Sequence, residues 1–308
     1  MGIIVETSYF CDLKQVDEPK VLVIPTPYEY TTTYIKGTRN ATQAILNASK
    51  HIEFFDDELW TDVSKIGINT TNFINSEFVN NDSSQPFSEV EDGVRKAVIG
   101  GSLPVVIGGE HSISYGSIKA AYDLYPELSV LHLGSMPNLK SSVQNNNFNR
   151  QCVFRQIYET MPDLKVVHLG TRVVSKEEKE WLETTTSNTE IFWGRDKNTW
   201  NIAEILSSLT KNVFLSVDFS VLDINYMPTV TNPDPGGLSW EEVTNILKNV
   251  CTFKDIVGMD FVEYSPVENL KGTDFLAAKF IYKVIGYAFA RALGVFEEEK
   301  SSLVANEG

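Results

Sequence analysis

Six short apolar runs recur along the chain, at residues 21–25, 103–107, 128–133, 164–169, 213–217 and 256–262, each five to seven residues long and dominated by aliphatic side chains. Runs of this length, with little polar alternation, mark strands buried on both faces, the state of strands in a parallel sheet covered by helices. The intervening stretches carry helical periodicity instead, over 42–49, 90–99, 112–125, 177–183, 202–209, 240–250 and 275–294. Ser239 followed by Glu242 has the spacing of a capping box and sets the start of one of these helices. Strands alternating with helices give the expected fold class: α/β, a three-layer α/β/α sandwich with a mostly parallel central sheet, in a single domain over 1–308. Residues 69–85 and 141–149 are polar, rich in Asn and Ser, and read as surface loops.

Charge narrows the partners. The chain has 41 Asp and Glu against 26 Lys and Arg, a formal net charge of −15. Such a surface repels phosphate backbones and anionic lipid, so no nucleic acid and no membrane is expected as a partner, and a cationic guanidino or amine ligand is favoured. No stretch reaches the ~18 consecutive apolar residues of a membrane helix. The first residues lack a basic segment followed by an apolar one, so no secretory leader is expected. Cys11, Cys152 and Cys251 are odd in number, far apart and without CxxC spacing, which fits a reducing, cytoplasmic setting. Neither a GxSxG elbow around Ser112, nor a phosphate loop, nor a dinucleotide fingerprint is present.

A parallel sheet presents its chemistry at the carboxyl ends of the strands, so the segments just after each run carry the functional information. They read Gly108-Gly109-Glu110-His111-Ser112, then Gly134-Ser135-Met136-Pro137-Asn138, then Asp218-Phe219-Ser220-Val221-Leu222-Asp223, then Thr231-Asn232-Pro233-Asp234-Pro235-Gly236-Gly237-Leu238, then Glu263-Tyr264-Ser265-Pro266. In order, spacing and glycines the series resembles the ureohydrolase family of arginase, agmatinase, guanidinobutyrase and formiminoglutamase, agmatinase-like members above all. The family's motifs are GG(D/E)HS, DAHxD, SxDxDxxDP, GTPEPGGL and a strand-end E-x-x-P. The resemblance implies two manganese ions that generate a hydroxide for attack on a guanidinium carbon. It also implies a homo-oligomer, trimeric or hexameric, or a hetero-oligomer with an active paralogue.

Carried over position by position, His111 and Asp218 fall on two of the six implied ligands, while Gly134, Met136, Asn138 and Ser220 stand where the family has Asp, His, Asp and Asp. Losing a group that merely orients a ligand costs ~10–100-fold in metal affinity. Four lost ligands, three of them anionic, cost far more. No cofactor is therefore expected, no catalytic set is intact, and the chain reads as a catalytically inactive homologue with a regulatory or ligand-binding role. The alternative is a residual or altered guanidino-compound hydrolase, a C–N hydrolase on linear amidines, using one ion on His111, Asp218 and Asn138. The family's Ser-His pair after DAHxD has no counterpart here: the segment holds Arg150, which cannot shuttle protons near neutrality.

On the substrate side, Glu263 matches the carboxylate that takes the guanidinium, and Asn232 and Asp234 replace the Thr and Glu of GTPEPGGL. Two plainer readings stay open: Glu263 as a strand-end carboxylate held by backbone, and His111 as a hydrogen-bonding group at a helix start. His132 and His168 fall inside strands and read as core imidazoles, Arg172 as structural, and Met136 as a filler of an apolar gap rather than a soft ligand.

Overall fold

The computed structural model describes residues 8–74, 85–185 and 188–295. In chain order its strands and helices are β1 (Val21–Thr26), α1 (Ala41–Ser49), β2 (Phe55–Asp56), β3 (Thr61–Asp62), β4 (Ile68–Thr70), α2 (Gln85–Ile99), β5 (Leu103–Gly108), α3 (Ser114–Leu124), β6 (Leu128–Leu133), α4 (Val153–Thr160), β7 (Lys165–Thr171), α5 (Lys176–Thr184), β8 (Thr189–Trp193), α6 (Ile202–Ser208), β9 (Asn212–Asp218), α7 (Trp240–Phe253), β10 (Asp255–Val262) and α8 (Lys271–Phe289). Eight strands form one sheet in the order β4-β1-β5-β10-β9-β6-β7-β8. Every pairing within it is parallel. Strands β2 and β3 form a separate antiparallel ribbon.

The layers follow from the two-residue period of a strand. In β5, Val105 and Ile107 join a cluster with α1, α7 and α8, while Val106 between them joins α2 on the other face. In β9, Val213, Leu215 and Val217 face the first layer and Phe214 the second, beside α4. Both faces are covered, which is why these strands read as largely apolar runs. Helix α7 opens on the expected Ser239–Glu242 capping box, and α5 opens on a second one, Ser175–Glu178.

Strands β4 and β8 and helix α4 lie outside the runs and periods picked out in the sequence. The polar stretch 69–85 is also not simply a loop: Asn69 and Thr70 belong to β4 and Gln85 begins α2, while 75–84 lie outside the described residues. The stretch 141–149 does have only turns and one isolated bridge, Val143–Asn146. Strand order reverses around the centre: β5 and β6 are separated by the late strands β10 and β9. The carboxyl ends of these four strands therefore converge at a switch point, where open α/β sheets bind ligands. Among the described residues, no helix is long and apolar enough to cross a membrane.

Candidate functional site

The loop after β5 is shaped by one close approach. A Cβ at Gly109 would sit 1.8 Å from the carbonyl oxygen of Tyr28, so only glycine lets the two backbones meet. Glu110 then turns inward, fully buried, and accepts hydrogen bonds from the backbone N–H groups of Tyr30 (2.8 Å) and Thr31 (2.7 Å) and from the hydroxyls of Thr31 (2.7 Å) and Ser112 (2.7 Å). This carboxylate fastens the segment 30–32 beside the strand ends.

His111 follows, 1% exposed, and opens the short 3-10 turn His111–Ile113 ahead of α3. The Asn138 amide lies 3.0 Å from His111 Nδ1, and Nε2 lies 3.3 Å from Ser216 Oγ. Ser216 Oγ in turn donates to Asp260 Oδ1 (2.8 Å), whose Oδ2 accepts from Ser117 (2.8 Å). One assignment satisfies the whole chain: Asn138 Nδ2 donates to Nδ1, and the Nε2–H donates to Ser216. Burial raises the Asp260 carboxyl above its ordinary value. Asn138 has φ +53°, a left-handed backbone that Asn tolerates better than most residues, and its carbonyl accepts from Phe154 N (3.2 Å) at the start of α4.

Asp218 ends β9. Its Oδ1 caps the turn Phe219–Val221 by accepting from Ser220 N (2.7 Å), and its Oδ2 lies 3.6 Å from His111 Nδ1. Ser220 Oγ is already used, accepting from Ser135 N at 3.1 Å. Met136 is half-buried. At Gly134 the space that a side chain would enter is filled from below. A Cβ there would lie 2.7 Å from His132 Nε2 and 3.3 Å from Asp218 Cβ. His132 is fixed by His168 (Nδ1 to Nδ1, 2.8 Å), which lies 3.3 Å from the Tyr158 hydroxyl through its Nε2. His132 Nε2 itself has no hydrogen-bond partner. Both imidazoles are buried core groups. Burial pushes His168 down to about 3 and His132 well below its ordinary value, so both stay neutral.

The structure therefore brings His111, Asn138, Asp218, Ser220 and Gly134 together, as the motif spacing requires. Their chemistry does not suit a pair of manganese ions. Hard divalent cations need anionic oxygens and free imidazole nitrogens. Of the six positions only His111 and Asp218 offer such donors, and His111 Nδ1 is engaged by the Asn138 amide. Among the described residues no group of three or more His, Cys, Asp or Glu is arranged to hold a metal ion.

The substrate-side candidates lie beside two arginines of the chain. Glu263, just after β10, has φ +68°, a strained backbone, and its carboxylate lies inward, where it is 1% exposed. Its Oε1 accepts from His111 N (2.7 Å), and its Oε2 takes the Arg150 guanidinium (2.9 Å to Nη1) and the Thr231 hydroxyl. Arg150 Nη1 also reaches Thr231 Oγ1 (3.2 Å), and Nη2 donates to Asn232 Oδ1 (2.5 Å). Glu263 and Asn232 thus both point at a cation of the chain itself. Burial and the nearby Asp218 push the Glu263 carboxyl up, and Arg150 opposes them.

The Asp234 carbonyl accepts from Arg172 Nη2 at 2.7 Å. Arg172 also donates to Ser220 O (2.7 Å) and Pro235 O (3.0 Å), so it staples the 232–237 loop to the strand ends, the structural role read for it. Sequence reasoning missed Arg150 as part of the site. It registered only the missing histidine, because nothing in the sequence joins residue 150 to residue 263.

Comparison with known proteins places this geometry. The Arginase family model matches residues 19–286. The chain is similar to N(1)-aminopropylagmatine ureohydrolase of Synechocystis, 32% identical over 274 residues, covering 87% of this chain and 88% of that protein. It is 29% identical to agmatinase of Pyrococcus horikoshii, over 89% of this chain and 93% of that protein. In fold it is similar to the agmatine ureohydrolase of Thermoplasma volcanium, with a TM-score of 0.83 at 24% identity, covering 96% of this chain and 97% of that one.

Proposed function

The chain belongs to the arginase family, and we propose that it keeps the family's strand-end site without the family's binuclear hydrolysis, as a non-catalytic, agmatinase-like member. One observation supports this reading: most of the donor atoms that remain are engaged by the chain itself. His111 is held by Asn138 and Ser216, Asp218 caps its own turn, and Glu263 is neutralised by Arg150. Two divalent cations would normally balance the site's carboxylates. Here the Arg150 guanidinium balances Glu263, at lower charge and with fewer anions to offset.

The test is metal analysis of protein purified with excess manganese, together with assay of urea release from agmatine. Fewer than one tightly held ion per chain and no urea above background are expected. Close to two ions per chain, or turnover abolished by His111→Ala, would overturn the reading.

A second reading has a specific support. The Synechocystis relative at 32% identity is named for hydrolysis of N(1)-aminopropylagmatine, and His111 Nδ1 lies within 3.6 Å of Asp218 Oδ2, a separation that one ion can bridge. On that reading the chain is a guanidino-compound hydrolase working with one ion on His111, Asp218 and the Asn138 amide oxygen. Manganese-dependent urea release from N(1)-aminopropylagmatine, lost in His111→Ala, would favour it over the first.

A further inference from the structure

The surroundings of Glu263 form a cradle for a planar, forked cation. An inward carboxylate, a threonine hydroxyl and an amide oxygen converge on one guanidinium, and the side chains of Arg150 and Glu263 are only 6% and 1% exposed. A buried carboxylate near Asp218 requires a cation, and a planar guanidinium can reach the carboxylate with one nitrogen and the Asn232 amide oxygen with the other, which the single nitrogen of an ammonium does not. Here the cation arrives on a tether. Arg150 projects from a stretch of turns, and its backbone N–H is held by Thr31 Oγ1 (3.1 Å), which itself donates to Glu110.

We infer that this cradle is a guanidinium-binding site occupied in cis: Arg150 is a tethered ligand that excludes free guanidino compounds from Glu263, Thr231 and Asn232. The inference rests on the reading of Glu263 as the substrate-side carboxylate, but it makes no use of the metal positions. Shortening Arg150 removes the guanidinium and most of its stem, leaving a slot whose length and polarity suit a small alkylguanidine.

The experiment uses full-length protein stripped of metal with EDTA and titrated calorimetrically with propylguanidine and, for comparison, butylamine. The unmodified chain is expected to bind neither at millimolar concentration. Arg150→Ala is expected to bind propylguanidine roughly tenfold or more tightly than butylamine, since only the guanidinium reaches carboxylate, hydroxyl and amide together. Arg150→Ala combined with Glu263→Gln is expected to lose that preference.

If Arg150→Ala is too unstable to titrate, the readout becomes a rise in Tm with propylguanidine, which follows from binding to the folded state alone. Arg150→Lys, which keeps the charge but leaves the fork empty, serves as the second variant. Equal binding by the unmodified chain and Arg150→Ala overturns the inference, as does no guanidine-dependent binding or Tm gain in either variant. Manganese content separates the two proposals. Two bound ions would end the non-catalytic reading and leave this one standing, whereas guanidine binding to the metal-free unmodified chain would do the reverse.

Discussion

Replacing Gly134 with alanine tests whether the lost-ligand position is empty or filled. The φ of Gly134 lies outside the left-handed region, so alanine can adopt its backbone and the cost is steric. The added Cβ would lie 2.7 Å from His132 Nε2, 3.0 Å from its Cε1 and 3.3 Å from Asp218 Cβ. His132 has little room to retreat: its ring centroid is 4.4 Å from that of Phe154 and 4.9 Å from that of His111, and its Nδ1 is bound to His168. Overpacking of this kind costs ~1–3 kcal/mol, and straining the His132–His168 bond adds about 1 kcal/mol. Gly134→Ala should therefore lose about 2–4 kcal/mol, read as a lower urea midpoint at unchanged m. In a His132→Ala background the same change should cost close to nothing, because the obstacle is gone. A loss below ~0.5 kcal/mol in the unmodified background would show that the ring does not occupy that space. The argument also bears on restoring the metal site. Returning Asp, His, Asp and Asp to positions 134, 136, 138 and 220 should bind fewer than two manganese ions unless residue 132 is reduced as well.

Three other outcomes follow from groups already described. Glu263→Gln leaves Arg150 buried without its counter-charge and should cost ~3–5 kcal/mol, while adding Arg150→Met should return more than half of it; additive losses in this double-mutant cycle would contradict the pairing. His168, held down to about 3, and His132, held well below its ordinary value, refuse protons that the unfolded chain accepts below pH ~6.5. Stability therefore falls as pH drops below that value, for His168 down to about 3, at up to ~1.4 kcal/mol per pH unit, so urea midpoints should drop between pH 7 and pH 5; a flat profile would contradict this. Cys11, Cys152 and Cys251 are buried, with thiols pushed by burial up to about 12, 11 and 12, so a disulfide reagent at pH 8 should react with them only on unfolding; rapid reaction of any thiol in the native state would count against it.

How much the sequence disclosed depended on where each residue draws its neighbours. The central strands β5, β6, β9 and β10 were legible because burial on both faces makes most of their side chains apolar, the few polar ones being paired inside. Edge strands β4 and β8 were not. The first is three residues with Asn69 in the middle, and every residue of the second is only half-buried, so neither shows a continuous apolar run. Helix α4 was missed because it is only eight residues long, with Arg155, Gln156, Glu159 and Thr160 diluting the apolar signal. At the site, the strand-end motifs set His111, Asn138, Asp218 and Ser220 at short distances from their strand ends, and the structure has them beside one another. What fills the vacated positions was hidden. The His132 ring under Gly134 and the Arg150 guanidinium on Glu263 depend on contacts across the sheet, and the second joins residues 113 positions apart.

The hydroxyl of Thr31 is a small part with wide leverage. It donates to Glu110 and accepts from the backbone of Arg150, so it is the rivet between the segment crossing the strand ends and the arm that carries the arginine. Anyone wishing to turn this closed scaffold into a receptor has a gentler starting point than the arginine. Thr31→Val keeps the volume and leaves the Arg150–Glu263 pair chemically intact; it removes one of the donors to Glu110 and the anchorage of the arm, turning a fixed plug into one that an added guest can push aside.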